Sequence, residues 1–74
     1  NRIMFNLGVV NSIRGSIDLF DFQGSISTLR IGDRVYTSDT LFSATKDYST
    51  VEFADGLEVT INREGDLLMI VCAP

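Results

Sequence analysis

Four aspartates, Asp33, Asp39, Asp47 and Asp55, fall in short polar segments of this 74-residue chain. Carboxylate oxygens gathered at one point are what a calcium ion takes as ligands. The chain has no Asp-x-Asp-x-Asp-Gly loop. An aspartate in a turn also has a simpler task, because its side chain bonds backbone N–H groups a few residues away. That task accounts for all four. The one cysteine, Cys72, sits in an apolar run, and the chain has no histidine. A packed thiol is expected there rather than a reactive one. Serines and threonines are frequent, but no histidine base accompanies them and no Gly-x-Ser-x-Gly elbow occurs. Gly8, Gly15 and Gly24 do not build a phosphate-cradling loop. The residue types therefore predict no enzyme, no cofactor and no metal.

Two surface features remain. Tyr36, Phe42, Tyr48 and Phe53 could stack bases or sugars, but their spacing suits core packing and cross-strand pairing better. Arg30, Arg34 and Lys46 could form a small basic patch, against a default of scattered solvated charges. Six basic residues against ten acidic ones give a net charge of -4. Nucleic-acid binding relies on clustered Lys and Arg, so that class of partner is disfavoured. No apolar run approaches the roughly 20 residues that span a bilayer as a helix, so no membrane insertion is expected.

The elements that would carry these residues follow a period of two, with no helical period. Val9 to Arg14 predicts a first strand and Ser16 to Phe22 a second, bulky on both faces. A turn is expected at Gln23-Gly24. Ile26 to Ile31 continues the alternation until Gly32-Asp33 interrupts it. Val35-Tyr36 and Thr40 to Ala44 are short strands, separated by the polar Thr37-Ser38-Asp39. Thr45-Lys46-Asp47 is a solvated turn.

The clearest unit is a hairpin. Val51 and Phe53 alternate with Thr50 and Glu52, then Leu57, Val59 and Ile61 alternate with Glu58 and Thr60. Ala54-Asp55-Gly56 closes it, with Gly56 free to adopt the positive φ that L-residues avoid. A slip of one residue would bury Glu52 and Glu58, so the register is well specified. After the polar turn Asn62 to Asp66, Leu67 to Ala73 is continuously apolar. That run suits either a strand buried on both faces or an exposed edge that pairs with something else.

Eight short segments with turn residues between them predict an all-β fold, a small antiparallel β-sandwich or partly open barrel. Residues 1–74 make a single domain. The expected core is Val35, Leu41, Val51, Phe53, Val59 and Ile61. The expected structural turns are Gly32-Asp33 and Asp55-Gly56. A chain this short buries only about 60% of its unfolded surface, so the core is marginal.

The order of these features carries a resemblance. Val10-x-Ser12-Ile13-x-Gly15-x-Ile17-x-Leu19 is followed by Gly24 and by Leu29-x-x-Gly32-Asp33-x-Val35-Tyr36. Asp39-Thr40-Leu41 comes next, then Val51-Glu52-Phe53-x-Asp55-Gly56-x-Glu58-Val59-Thr60-Ile61. Together, over roughly Gly8 to Ile61, they resemble the FecR-like β-domain, most of all the version in the retention module of large RTX adhesins. The resemblance implies the N-terminal part of a longer adhesin that leaves the cell by type I secretion. The retention module folds in the periplasm and cannot pass the TolC-like outer-membrane pore, so the adhesin stays tethered for biofilm formation. Its partners would be that pore and the rest of its own chain. The di-alanine protease site of the family has no counterpart in these residues. The same resemblance leaves open an envelope sensing or ligand-binding domain.

Gly32-Asp33-x-Val35-x-x-x-Asp39-x-Leu41 also resembles the biotinyl/lipoyl carrier domain, which modifies a lysine at a hairpin tip. In that family's spacing the lysine position falls on Tyr48. Lys46 lies two residues early, and Ser38 stands where the phrase has its second glycine.

Overall fold

Alternation of apolar and polar residues commits most of the chain to strands, and the turns decide how those strands are shared between layers. The computed structural model describes residues 5–45 and 47–72. Eight strands form: β1 (Asn6–Arg14), β2 (Ile17–Phe20), β3 (Ile26–Thr28), β4 (Arg34–Tyr36), β5 (Thr40–Ser43), β6 (Tyr48–Phe53), β7 (Glu58–Asn62) and β8 (Leu67–Val71). They make two antiparallel sheets, one ordered β4-β1-β6-β7-β8 and the other β3-β2-β5. The sheets pack face to face and do not close into a barrel.

The long β1 serves two partners. Its first half pairs with β4 on one side and its second half with β6 on the other, with a register break on each side. The chain then crosses between the sheets four times, from β1 to β2, β3 to β4, β4 to β5 and β5 to β6. The remaining connections are hairpins within one sheet.

The core holds Val10, Ile17, Leu29, Val35, Leu41, Val51, Phe53, Val59 and Ile61. All six residues expected from the alternation are in it. In β6 and β7 the expected register is seen: Val51 faces Val59 and Glu52 faces Glu58. Like charges opposite one another repel. Each glutamate is given its own partner: Glu52 accepts from the Asn11 Nδ2 and Ser12 Oγ, and Glu58 lies 3.6 Å from Arg14.

Several elements depart from the sequence expectation. The second strand ends at Phe20, because Asp21 turns the chain, and Phe20 and Phe22 are exposed rather than buried on two sides. The strand after the first hairpin stops at Thr28. Leu29 is buried at 4% exposure, but Ile31, expected on the same face, is 70% exposed because it occupies the Gly32-Asp33 turn. Leu57 belongs to the β6–β7 turn and packs against the core edge. The apolar run becomes β8, an edge strand with every residue exposed. Cys72, expected to be packed, is exposed too, because among the described residues no strand pairs with β8 on its outer side. Ala73 lies outside the described residues.

A polar knot fastens the sheets where β1 hands over to β2. Ser49 Oγ on β6 accepts from the Ser16 N–H at 3.2 Å and lies 3.1 Å from the Ser16 carbonyl. It also bonds Ser43 Oγ on β5 at 2.7 Å. Ser43 and Ser49 are both buried, and a buried hydroxyl left unpaired would be costly. Gly15 allows the close approach: its φ is +95°, and a side chain there would strike Ser49. Gly24 has a similar φ but open space around it. Gly15→Ala should therefore destabilise by about 2–3 kcal/mol and Gly24→Ala by only about 1 kcal/mol. Urea midpoints of the two variants measure the difference, and equal losses would remove the knot from this account.

Candidate functional site

Every turn expected to hold chemistry was expected to hold it through a carboxylate, so the first question is where those oxygens point. At the β3–β4 crossing, Asp33 Oδ2 accepts from the Arg30 N–H at 2.9 Å, and the Asp33 N–H donates back to the Arg30 carbonyl at 3.1 Å. The β4–β5 crossing repeats this clamp. Asp39 Oδ2 accepts from the Tyr36 N–H at 2.8 Å, and the Asp39 N–H bonds the Tyr36 carbonyl at 3.0 Å. Both are four-residue turns locked by the last side chain. Gly32 stands third in the first with φ +92°, while Ser38 stands third in the second without a positive φ. A glycine is needed only in the first.

The first clamp also docks on the long strand. Val10 donates to the Asp33 carbonyl and its own carbonyl accepts from the Gly32 N–H, both at 2.8 Å. The Gly32-Asp33 turn is thus a backbone brace on β1.

The hairpins use a second device. Asp21 Oδ1 accepts from the Gln23 and Ser25 N–H groups, both at 2.9 Å. Asn62 Oδ1 likewise accepts from Glu64 and Asp66. In the β6–β7 hairpin, Asp55 Oδ1 accepts from the Leu57 N–H at 3.0 Å. In all three, a glycine with positive φ (Gly24, Gly56 or Gly65) stands fourth in the five-residue turn and bonds the first residue's carbonyl. That is a three-residue hairpin loop with glycine at the left-handed position.

The other candidates do not converge. Phe53 is in the core and Tyr48 is 60% exposed at the start of β6. Tyr36 and Phe42 lie on strands of different sheets. They form no common platform, and Phe42 instead meets Phe20 edge-on, with ring centroids 6.4 Å apart. Arg30 and Arg34 are both exposed. Lys46, the third member of that patch, lies outside the described residues. Tyr48, where the carrier spacing would put a modified lysine, opens β6 opposite Asn62 and is no hairpin tip. The three hairpin tips carry no lysine.

The concavity with the most apolar lining lies between the sheets. A cleft of about 310 Å³ is lined by Leu7, Val35, Leu41, Phe53 and Ile61, with Leu67 and Ile70 of β8 along its open side. Its rim is polar only at Tyr36, Thr37, Asp39 and Thr40. Close by, the half-buried Ser38 has an Oγ with no hydrogen-bond partner among the described residues. The cleft is an unclosed stretch of core, and it holds no cluster of groups able to perform acid–base or nucleophilic chemistry.

Sequence reasoning missed the serine knot and the capping roles of Asp21 and Asn62. The signals were present. Ser43 follows the alternation from Leu41, and Ser49 the alternation toward Val51 and Phe53, which places both hydroxyls on the core face. Asp21-x-x-Gly24 and Asn62-x-x-Gly65 share one spacing.

No protein-family model, curated protein or solved structure matches the chain.

Because the carboxylates of Asp33, Asp39 and Asp55 already bond backbone, and Asp47 stands apart from them in the turn before β6, calcium at a few millimolar should leave the melting temperature unchanged within about 1 °C. Asp33→Ala and Asp39→Ala should each cost about 1–2 kcal/mol, from loss of the clamp to an N–H. A calcium-dependent rise in melting temperature that either substitution abolishes would instead make these turns a metal site.

Proposed function

We propose that this chain is an anchor domain that works by being folded. It would sit in the periplasm, at the TolC-like outer-membrane pore, and retain a type I-secreted biofilm adhesin whose remaining chain has passed through. The reading assigns it no catalytic step.

The observation that carries the proposal is the fold's width. The domain measures 33 × 28 × 20 Å along its principal axes. An α-helix with its side chains is only about 10–12 Å across. A passage that admits a chain unfolded or in single elements is therefore blocked by the smallest dimension of the folded domain. The pairing pattern supports persistence. The central β1 pairs with β6, which lies more than thirty residues away in sequence. β1 and β6 each have a strand on both sides. Drawing the chain through a pore must break these non-local ladders, and the rate of unfolding sets how long such a plug lasts.

The turns at Gly32-Asp33 and Asp55-Gly56 agree with this role. They belong to the longer run that resembles FecR-like retention domains, and Gly32-Asp33 braces β1 while Asp55-Gly56 closes the β6–β7 hairpin. The apolar cleft favours a second reading within the same resemblance, an envelope domain that senses or binds an apolar ligand.

The test is retention in a cell that secretes the full-length adhesin. Phe53→Ala removes a fully buried ring, at a cost of about 3–5 kcal/mol. A domain of this length has on the order of 4–11 kcal/mol to lose. The variant should shift most of the adhesin from the cell surface to the medium, whereas the exposed Ile26→Ser should not. Adhesin that stays on the surface, with the domain shown to be unfolded, would contradict the anchor.

A further inference from the structure

The cleft between the sheets has an apolar floor and a polar rim on one side, and that asymmetry limits what can occupy it. The floor is the core face of the larger sheet, with Leu7, Phe53 and Ile61, and Ile70 of β8 stands along the open side. The rim residues Thr37, Asp39 and Thr40 come from the β4–β5 crossing and the start of β5. Among the described residues that line the cleft, Asp39 alone carries a charge.

Two features turn away a protein strand. A strand is held by a row of free backbone groups, and β8 keeps its unpaired edge in the plane of its own sheet, so the cleft meets only its side chains. The outward edge of β5 is met by the β7–β8 turn. A Cβ on Gly65 would stand 3.2 Å from the Leu41 carbonyl, which leaves no room for a further strand along it. The volume of about 310 Å³ instead falls at the lower end of small-molecule sites, roughly 300–1,000 Å³.

The charge selects the kind of small molecule. Asp39 Oδ2 accepts from the Tyr36 N–H, and among the described residues the carboxylate forms no ion pair. Arg34 lines the neighbouring hollow with Asp39 and is not paired to it. The chain as a whole carries a net charge of -4. Such a rim repels an anionic head group and attracts a cationic one.

We propose that the cleft is a binding site for a short-chain aliphatic amine. Its ammonium group sits on the Asp39 carboxylate, with the hydroxyls of Thr37 and Thr40 on the same rim, and its alkyl tail covers Phe53 and Ile61 against Ile70. This deepens the ligand-binding reading given above and does not depend on the anchor role.

Backbone amide shifts of the 74-residue chain, titrated at neutral pH with octylamine, 1-octanol and octanoate, test it. Octylamine should bind with a dissociation constant on the order of 1 mM, about threefold tighter than 1-octanol and about tenfold tighter than octanoate. The amides that move should be those of Leu7, Leu41, Ile61 and Ile70. Asp39→Asn keeps an oxygen for the Tyr36 N–H but removes the charge, and should lower octylamine to the level of 1-octanol. Should that variant fail to fold, sodium chloride at about 0.5 M must weaken octylamine and spare 1-octanol on the unaltered chain. Ile70→Ser should weaken both about threefold, whereas Met69→Ser, opposite Thr60 on the outer face, should change neither. No shift with any of the three compounds overturns the site and the ligand-binding reading with it. 1-Octanol and octanoate binding as tightly as octylamine overturns the amine and leaves the apolar-ligand reading standing. Shifts confined to Met69 and Val71 overturn the site as well.

Discussion

A three-stranded sheet has to close the core of a five-stranded one, and the rest of the structure follows from that mismatch. The smaller sheet covers the part of the larger sheet built from β1, β6 and β7, where Val10, Val51, Phe53, Val59 and Ile61 are buried. It does not reach β8. Ile70 and Leu67 lie on the core side, yet they remain half exposed because no strand of the smaller sheet among the described residues stands opposite them. The cleft beside them is the same mismatch seen as a volume.

Holding two unequal sheets together falls to the crossings. Three of the four use side chains to fix backbone: the serine knot after Gly15, the Asp33 clamp that braces β1, and the Asp39 clamp between β4 and β5. The hairpins are closed differently, by glycine at the fourth position with an Asp or Asn bonding the turn. A carboxylate accepting backbone N–H bonds is occupied in holding the chain, and that is the physical reason an Asp-rich set of turns offers so little chemistry. What the arrangement does offer is a folded body wider than a single helix or strand.

The sequence made the inner half of the fold legible and the outer half ambiguous. In β6 and β7, strict alternation ties register to burial, so Val51, Phe53, Val59 and Ile61 could be assigned without a structure. At Ile31 the alternation continued into a turn, and hydrophobicity alone did not distinguish a core position from an exposed one. Leu67 to Val71 posed the same problem across a whole strand. An unbroken apolar run reads alike whether it is covered or bare, and only the strand order decides. Ser43 and Ser49 fell on the core face by period, but their pairing depended on β5 and β6 lying in different sheets. The candidate chemistry was legible chiefly as turn chemistry. The side that remained unread was the edge, where the structure leaves all five apolar residues of β8 exposed.

The central claim is that the cooperative core ends at β7 and that β8 is an uncovered edge of the single chain. Amide hydrogen exchange on the isolated chain measures this residue by residue. The account predicts the slowest exchange at Val51, Phe53 and Val59, near the limit of global unfolding, with the amides of β8 that point away from β7 exchanging orders of magnitude faster. Uniform protection from β6 through β8 under those conditions would contradict it.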